Sequence, residues 1–231
     1  MNGHTLDSVL EERDLGILIT ADLKPSTRCQ AAYSTANKVL GMISRTVTYK
    51  DRYVLLQLYK SFVRPHLEFS VSAWSPHYLK DKHLLEKIQH RFTRMIPGLK
   101  HLPYELRLRK LGLWSLEERR NRADLLETFR IYKGWSTISF DSMFAISAVS
   151  KTRGHSAKIV KNRCCLDIRH HFFSERVINR WNRLDQHAID SATLNAFTLS
   201  SLVSRGQKMR RSAFSRTGGP PSRWPHLFIW I

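Results

Sequence analysis

The chain has 231 residues, of which 38 are Lys or Arg and 19 are Asp or Glu, giving a formal net charge of +19. A hydrophobic fraction of 42% is sufficient for a folded core and argues against wholesale disorder. No apolar run reaches the length of a membrane span, and Met1–Leu10 does not show the pattern of a secretory signal, so we expect neither membrane insertion nor secretion.

The surplus positive charge lies mainly in the last two-thirds of the chain. Residues 1–79 carry nine basic and seven acidic side chains, whereas residues 80–134 carry fourteen and seven, and residues 150–183 carry nine and two. Self-repulsion of this size destabilises a compact chain, and a polyanion relieves it. Nucleic acid is therefore the first partner to expect, because each neutralised phosphate releases counterions without any need for sequence readout.

The N-terminal residues predict one short strand, and a helix follows. Ile17–Ile19 is apolar and β-branched, and an upstream segment such as Thr5–Val9 could pair with it as a hairpin arm. Pro25 favours a helix start. The apolar residues of this first helix recur at helical spacing, at Ala32, Ala36, Val39, Leu40 and Ile43.

A second helix is predicted to begin near Asp51. Pro65 should kink or break this helix because proline removes a backbone donor. The apolar run then continues as far as Pro76. The predicted inward stripe of the second helix consists of Val54, Leu55, Leu58, Phe62 and Val63.

The third helix, over residues 81–96, has the sharpest amphipathic pattern. Its apolar face consists of Leu84, Leu85, Ile88, Phe92, Met95 and Ile96, and its basic face of His83, Lys87, His90, Arg91 and Arg94. An ordinary solvated face mixes both signs of charge, whereas only Glu86 interrupts this one. We interpret the face as a candidate phosphate-contacting surface, and a plain solvent-exposed surface is the alternative.

Two further helices are predicted by their end signals. Pro103 to Leu111 is closed by Gly112, and the run from Ser115 to Glu118 is a capping box that opens a long helix to about Lys133. The inward residues of the long helix are predicted to be Leu116, Ala123, Leu126, Phe129 and Tyr132. Its outward residues are predicted to be Arg119, Arg120, Arg122, Arg130 and Lys133.

The C-terminal part is basic and carries aromatic residues. Charge interleaved with polar groups over residues 151–169 is typical of a surface for single strands or loops, and Arg169 closes that run. The alternative is a basic subdomain whose rings form its core, and we favour the core for Phe172, Phe173 and Trp181. Residues 199–231 contain no acid and are rich in serine, glycine and proline, which predicts a disordered tail.

The resulting fold class is mostly α, with a short N-terminal β-hairpin or lone strand. The predicted divisions are 1–24, a strand region; 25–98, a helical bundle; 99–134, two further helices; 135–150, a linker; 151–198, a basic α-rich subdomain; and 199–231, the tail. The candidate nucleic-acid-binding residues are Lys87, His90, Arg91, Arg94, Arg119, Arg120, Arg122, Lys151, Arg153, Lys158, Lys161, Arg163 and Arg169.

Signals for metal sites and catalysis are weak. Cys164, Cys165, His170 and His171 invite a zinc interpretation, but paired zinc ligands are usually two to four residues apart, and adjacent residues point apart. Two-metal phosphoryl transfer needs clustered carboxylates, and no two of the ten aspartates are adjacent. Glycine-rich phosphate loops and hydrolase motifs are also absent from the sequence. We therefore predict no catalytic residue, no metal and no cofactor. The three cysteines are too few and too oddly placed for a disulfide framework, which favours a reducing, intracellular setting in the nucleus or cytoplasm.

Several short runs occur in an order that resembles one known family. They include Asp14-Leu-Gly-Ile17, Tyr59-Lys-Ser-Phe-Val-Arg-Pro-His-Leu-Glu68, Trp74-Ser-Pro76, Gln89-His-Arg-Phe-Thr-Arg94, Leu116-Glu-Glu-Arg-Arg120, and Phe172-Phe-Ser-Glu-Arg-Val177 with Trp181-Asn182. Over residues 2–198 the chain resembles the C-terminal third of the reverse transcriptase of jockey-type LINE (non-LTR) retrotransposons.

The resemblance implies part of a right-hand polymerase. Residues 1–24 would be the last palm hairpin, beside the primer end; residues 25–98 would be the thumb, which closes on the RNA–DNA hybrid; and the rest would be the post-thumb region. The fingers, the palm with its aromatic-x-Asp-Asp motif and the endonuclease have no counterpart here, so no polymerisation is expected, although the parent enzyme would use Mg²⁺. Residues 199–231 depart from the family pattern.

Three functional hypotheses remain. The first is a truncated polymerase fragment that binds RNA, RNA–DNA hybrid or DNA through its basic helix faces. The second is a helical scaffold that binds a protein, including the missing palm and fingers, through exposed apolar surface. The third is a pseudogene product without a stable fold.

Overall fold

Helices dominate residues 8–147 and 154–201, which are the residues that this computed structural model describes. This confirms the predicted mostly-α class. Two strands, β1 (Glu11–Asp14) and β2 (Ile17–Thr20), form an antiparallel hairpin. The helices in chain order are α1 (Ser26–Thr46), α2 (Arg52–Leu58), α3 (Arg64–Glu68), α4 (Val71–Trp74), α5 (Leu79–Met95), α6 (Tyr104–Leu111), α7 (Leu116–Tyr132), α8 (Phe140–Met143), α9 (Asp167–His171), α10 (Phe173–Arg176), α11 (Ile178–Trp181) and α12 (Gln186–Ile189).

The hairpin confirms the predicted strand but corrects its partner. β2 pairs with β1 through a two-residue turn, so Asp14 lies opposite Ile17, and Thr5–Val9 supplies no strand in the part that the structure describes. Leu15 and Gly16 have φ values of 46° and 82°, as a tight turn between twisted strands requires. This turn, and not a longer loop, sets the register.

The first hydrophobic core lies between α1 and α5. α1 begins directly after Pro25 and buries the predicted face of Ala32, Ala36 and Leu40, together with Cys29. α5 buries Leu85, Ile88 and Phe92 against it, but it also buries Gln89, whose side chain is satisfied within the core. This core therefore has the amphipathic partners that the sequence predicts.

Proline at position 65 does not end its helix. A π-helical turn (Tyr59–Val63) separates α2 from α3, and the N–H of Arg64 donates to the carbonyl of Tyr59 five residues earlier. The wider turn accommodates a residue without a donor, so the helix continues. The inward stripe becomes Leu55, Tyr59, Val63 and Leu67, and the predicted inward residues Val54 and Phe62 are exposed instead.

The end signals of α6 and α7 are confirmed. Gly112 ends α6 with a φ of 62°, and Ser115 Oγ accepts from the N–H of Glu118 at 3.2 Å. α7 contributes Leu116 to the first core, whereas Phe129 lies in a second core. This helix therefore joins the two halves of the described chain.

The second core is built from α7 and the C-terminal segments. Trp181 and Phe197 are fully buried in it, which confirms Trp181 as a core residue. Phe173 is also buried, but Phe172 is 44% exposed, so the prediction for that ring is wrong. The side chain of Phe172 projects outward because it precedes α10 instead of lying on its inner face.

Two predicted boundaries shift. Phe144 is buried in the second core, so this part of the predicted linker 135–150 is packed, and Ile146 forms an isolated antiparallel bridge with Ile159. Residues 194–201 are helical and Ser201 is buried, so the described start of the predicted tail is ordered; residues 202–231 lie outside the described part. Among the described helices, none combines the length and the apolar character that a membrane span requires.

Candidate nucleic-acid interface

The outer face of α5 presents three basic side chains to solvent. Lys87, Arg91 and Arg94 are exposed, as predicted, and within residues 8–147 and 154–201 none of them forms an ion pair. Arg91 Nη1 donates to Asn37 Oδ1 of α1 at 2.5 Å, so its guanidinium is held at the α1–α5 edge. We call Lys87, Arg91 and Arg94 the α5 face.

His90 does not belong to the α5 face, and its predicted outward position is wrong. Its half-buried ring stacks on Tyr104 with centroids 3.5 Å apart. Burial lowers the pKa of His90, and Arg107 and Arg94 lower it further, so the ring is neutral at pH 7. Arg107, which is 2% exposed, donates to the carbonyl of His90 at 3.1 Å and to Thr93 Oγ1 at 2.8 Å.

Arg120 is an interior residue instead of the predicted surface residue. It is 2% exposed, and burial lowers its pKa although Glu86 and Glu117 oppose that shift. Both of its Nη atoms are buried without a hydrogen-bond partner among the described residues. The reason is the helical period, because Leu116 and Asp124, which are also buried, lie four residues before and after Arg120 on the same face of α7.

Arg119 and Arg122 lie in a partly buried cationic cluster that the sequence did not reveal. Arg119 Nε donates to Glu68, and Arg119 Nη2 donates to the second oxygen of Glu68 at 2.8 Å. Burial lowers the pKa of Arg119, but the hydrogen bond and charge of Glu68 outweigh it, and the net pKa is raised. Burial and the charge of Arg119 lower the pKa of Arg122. Burial and the charges of Arg64 and Arg119 lower the pKa of Lys60.

This Glu68 cluster contains more cations than carboxylates. Arg64 also lies 3.7 Å from Glu68, so this carboxylate pairs with two arginines. Lys60 and Arg122 are close enough to these arginines for the positive charge to lower their pKa values, so the cluster holds four basic side chains and one described acid. The predicted outward position of Arg119 is wrong, because its side chain is half-buried and its guanidinium is paired with Glu68. The sequence pattern could not predict this ion pair, because Glu68 and Arg119 are 51 residues apart in the chain.

The C-terminal candidates are only partly described. Lys151 and Arg153 lie outside the described residues, Lys158 is half-buried, and Lys161 and Arg163 are exposed. Arg169 is exposed, and its guanidinium lies 5.4 Å from the ring centroid of Phe172 and 3.8 Å from Glu175. Lys161 and Arg163 are therefore the exposed cations of this segment without an ion pair among the described residues.

A cationic cleft lies between the hairpin, α1 and α3. It has a volume of about 240 Å³ and is lined in part by Arg13, Arg28, Thr35 and His66, with no carboxylate among its lining residues. Arg28 lies over the ring of Trp74 at 5.0 Å, and its buried Nε has no hydrogen-bond partner in the described structure. This cleft could not be predicted from the sequence because its lining residues come from three separate elements.

The zinc interpretation of Cys164, Cys165, His170 and His171, which the sequence disfavoured, finds no assembled set among the described residues. Cys165 is exposed, and the described groups of potential metal ligands include neither Cys164 nor Cys165. His171 instead meets His77 and Asp167.

Searches against protein families, curated proteins and solved structures find no match to this chain at a significant level.

Proposed function

We propose that this chain binds the phosphate backbone of nucleic acid, as a fragment of a non-LTR retrotransposon reverse transcriptase that lacks the catalytic palm. The α5 face carries the proposal, because Lys87, Arg91 and Arg94 are exposed cations without acidic partners in the described structure. The net charge of +19 adds a general attraction for polyanions.

The geometry of α5 suits a phosphate backbone. Positions 87 to 94 span about 10 Å at a rise of about 1.5 Å per residue. One strand of a duplex presents a phosphate about every 3.4 Å of axis, so three cations can each reach a separate phosphate. The cleft beside the hairpin, which contains Arg13 and Arg28, offers a second cationic surface at the N-terminal end.

The test is the salt dependence of binding to a fluorescent 20-base-pair duplex, measured by anisotropy for DNA and for an RNA–DNA hybrid. Each lost phosphate contact reduces the slope of log K against log salt by about 0.9 on duplex DNA. We expect the Lys87→Gln/Arg91→Gln/Arg94→Gln variant to reduce the slope by about 2 to 3 and to weaken binding to both duplexes.

A matched control removes the same charge from another surface. Lys38, Arg45 and Lys50 are exposed and lie on α1 or after it. Their triple replacement by glutamine should leave the slope nearly unchanged. An equal reduction in both variants would show that net charge alone drives binding and would overturn the assignment to α5. Primer extension by the purified chain would overturn the absence of a polymerase centre.

A protein-binding scaffold is the second candidate, and the hairpin favours it. Leu10, Leu15 and Leu23 are 84%, 86% and 61% exposed, and Ile19 is 41% exposed, so this end of the molecule presents apolar surface that the described residues leave uncovered. In the family, the palm would lie here. Self-association that a Leu15→Ser/Leu23→Ser variant abolishes, without any effect of added RNA, would favour the scaffold over the nucleic-acid binder.

A further inference from the structure

His77, Asp167 and His171 meet at the boundary between the two hydrophobic cores. Asp167 and His171 lie four residues apart on α9, and His77 lies between α4 and α5. His171 Nε2 is 3.3 Å from Asp167 Oδ1, and His77 Nε2 is 3.9 Å from Asp167 Oδ2. One ligand atom from each residue lies within 4.8 Å of the other two.

One ring nitrogen of His77, Nε2, is a polar atom without a partner among the described residues. This atom is buried and has no hydrogen bond within the described part of the chain. The distance of 3.9 Å to Asp167 is too long for a hydrogen bond. Because a buried polar atom that stays unpaired is costly, this nitrogen points to a species that the three side chains hold between them.

We propose that His77, Asp167 and His171 bind a divalent transition-metal ion such as Zn²⁺. Two imidazoles and one carboxylate are ligands that zinc accepts, with bonds of about 2.0–2.2 Å to nitrogen and oxygen. Such bonds place tetrahedral ligand atoms about 3.3–3.5 Å apart, so the observed separations close with small side-chain rotations. Three protein ligands leave a fourth position for water.

Metal binding must change one contact of the unbound site. The rings of His77 and His171 are stacked, with centroids 4.2 Å apart and planes at 4°. Two nitrogens that share a tetrahedral ion cannot keep this parallel arrangement, so the rings tilt toward the ion. The exposed Asp167 side chain, which is 67% accessible, leaves the site open to solvent and therefore to the ion.

The ion would tie the basic C-terminal subdomain to the helical bundle. His77 comes from the half that contains the first core, whereas Asp167 and His171 come from the segment that packs on the second core. Arg176 already links the two halves next to this site, because its Nη2 donates to the carbonyl of Ser72 at 2.6 Å while its Nη1 donates to the carbonyl of His171 at 3.3 Å. The metal thus acts as a structural clamp at the same joint.

The test uses the full chain and measures Zn²⁺ affinity by competition with a chromogenic chelator. Cobalt substitution adds a visible spectrum that reports tetrahedral coordination. We expect one high-affinity equivalent, and at least a tenfold loss of affinity in Asp167→Asn and in His171→Gln. Asp167 is exposed, so its isosteric variant should fold normally, which a far-ultraviolet spectrum checks. His101→Gln, at an exposed histidine elsewhere, is the matched control and should bind as the unmodified chain does.

A Cys164→Ser/Cys165→Ser variant separates this site from the alternative ligands. Unchanged zinc affinity in that variant, together with loss in Asp167→Asn, supports the proposed set. Loss of binding only in the cysteine variant, equal loss in His101→Gln, or absence of a high-affinity equivalent would each overturn it. Nucleic-acid binding is measured separately with the α5 variants, so its outcome does not decide whether His77, Asp167 and His171 bind a metal ion.

Discussion

Asp124 of α7 is an almost fully buried carboxylate whose charge is balanced by one residue, Arg176 of α10. Arg176 Nε donates to Asp124 Oδ2 at 2.9 Å, and Nη2 donates to Asp124 Oδ1 at 2.8 Å. Nη2 also donates to the carbonyl of Ser72 at 2.6 Å, which belongs to α4. We predict that Arg176→Met lowers the free energy of unfolding by about 3 kcal/mol.

The magnitude follows from burial. Asp124 is 1% exposed, and removing one partner of a buried ion pair costs about 3–5 kcal/mol because the remaining charge is left without compensation. The Arg176 side chain is 14% exposed, so some water reaches the site and the lower end of the range applies. Methionine keeps much of the apolar stem, so the loss reports the charge more than the packing.

The assay is urea-induced unfolding monitored by circular dichroism. Arg183→Met, at an exposed arginine in the same subdomain, is the control and should change stability by no more than about 0.5 kcal/mol. The Arg176→Met/Asp124→Leu double variant removes both charges and should recover at least about 1.5 kcal/mol relative to Arg176→Met. A loss below about 1 kcal/mol in Arg176→Met, or a double variant no more stable than the single one, would refute this reasoning.

Three further predictions concern buried groups. Burial raises the pKa of the Cys29 thiol to about 12. An aromatic disulfide reagent that releases a yellow thiolate should therefore react quickly with Cys164 and Cys165, but with Cys29 only after unfolding. Equally fast reaction of all three thiols would contradict this prediction. Tyr59→Phe should cost about 1–2 kcal/mol in urea unfolding, because the hydroxyl donates to buried Gln89 Oε1 at 2.7 Å, and an unchanged midpoint would contradict it. Burial lowers the pKa of His155 below its ordinary 6.5, against the opposing hydrogen bond to the Trp181 carbonyl. The unfolded chain therefore binds a proton that the folded chain resists, and stability should fall as pH drops below about 6.5, by at most about 1.4 kcal/mol per pH unit from this residue. In the His155→Gln variant, the free energy of unfolding should fall less steeply as pH drops, as urea unfolding at several pH values would show. A pH dependence equal to that of the unmodified chain would contradict this prediction.

Local signals in the sequence predicted the helix ends well. Asp51 accepts from the backbone N–H groups of Tyr53 and Val54 at 2.8 and 2.9 Å, and Ser115 and Gly112 act as the cap and the stop that their residue types indicate. These features depend on a few adjacent residues, so they can be predicted without knowledge of the fold.

The errors arose where a second element decided the environment. Arg120 was predicted to be outward because arginine is usually exposed, but α7 packs on both cores and its inner face includes that position. His90 was grouped with the basic face of α5, yet α6 covers it with Tyr104 and Arg107. At Pro65 the regular α-helix is interrupted, but by a π-helical turn that separates α2 from α3 instead of by a loop.

The amino-acid order by itself determined the mostly-α class, the strand near Ile17, the limits of α6 and α7, and the exposure of Lys87, Arg91 and Arg94, because these depend on local propensity and on the period of apolar residues. Only the tertiary structure decided which charged groups are neutralised inside the protein and which residues meet at the boundary between the two hydrophobic cores. Glu68 with Arg119, Asp124 with Arg176, and His77 with His171 are pairs distant in sequence. Their meeting depends on how the helices pack, and no periodicity within one segment carries that information.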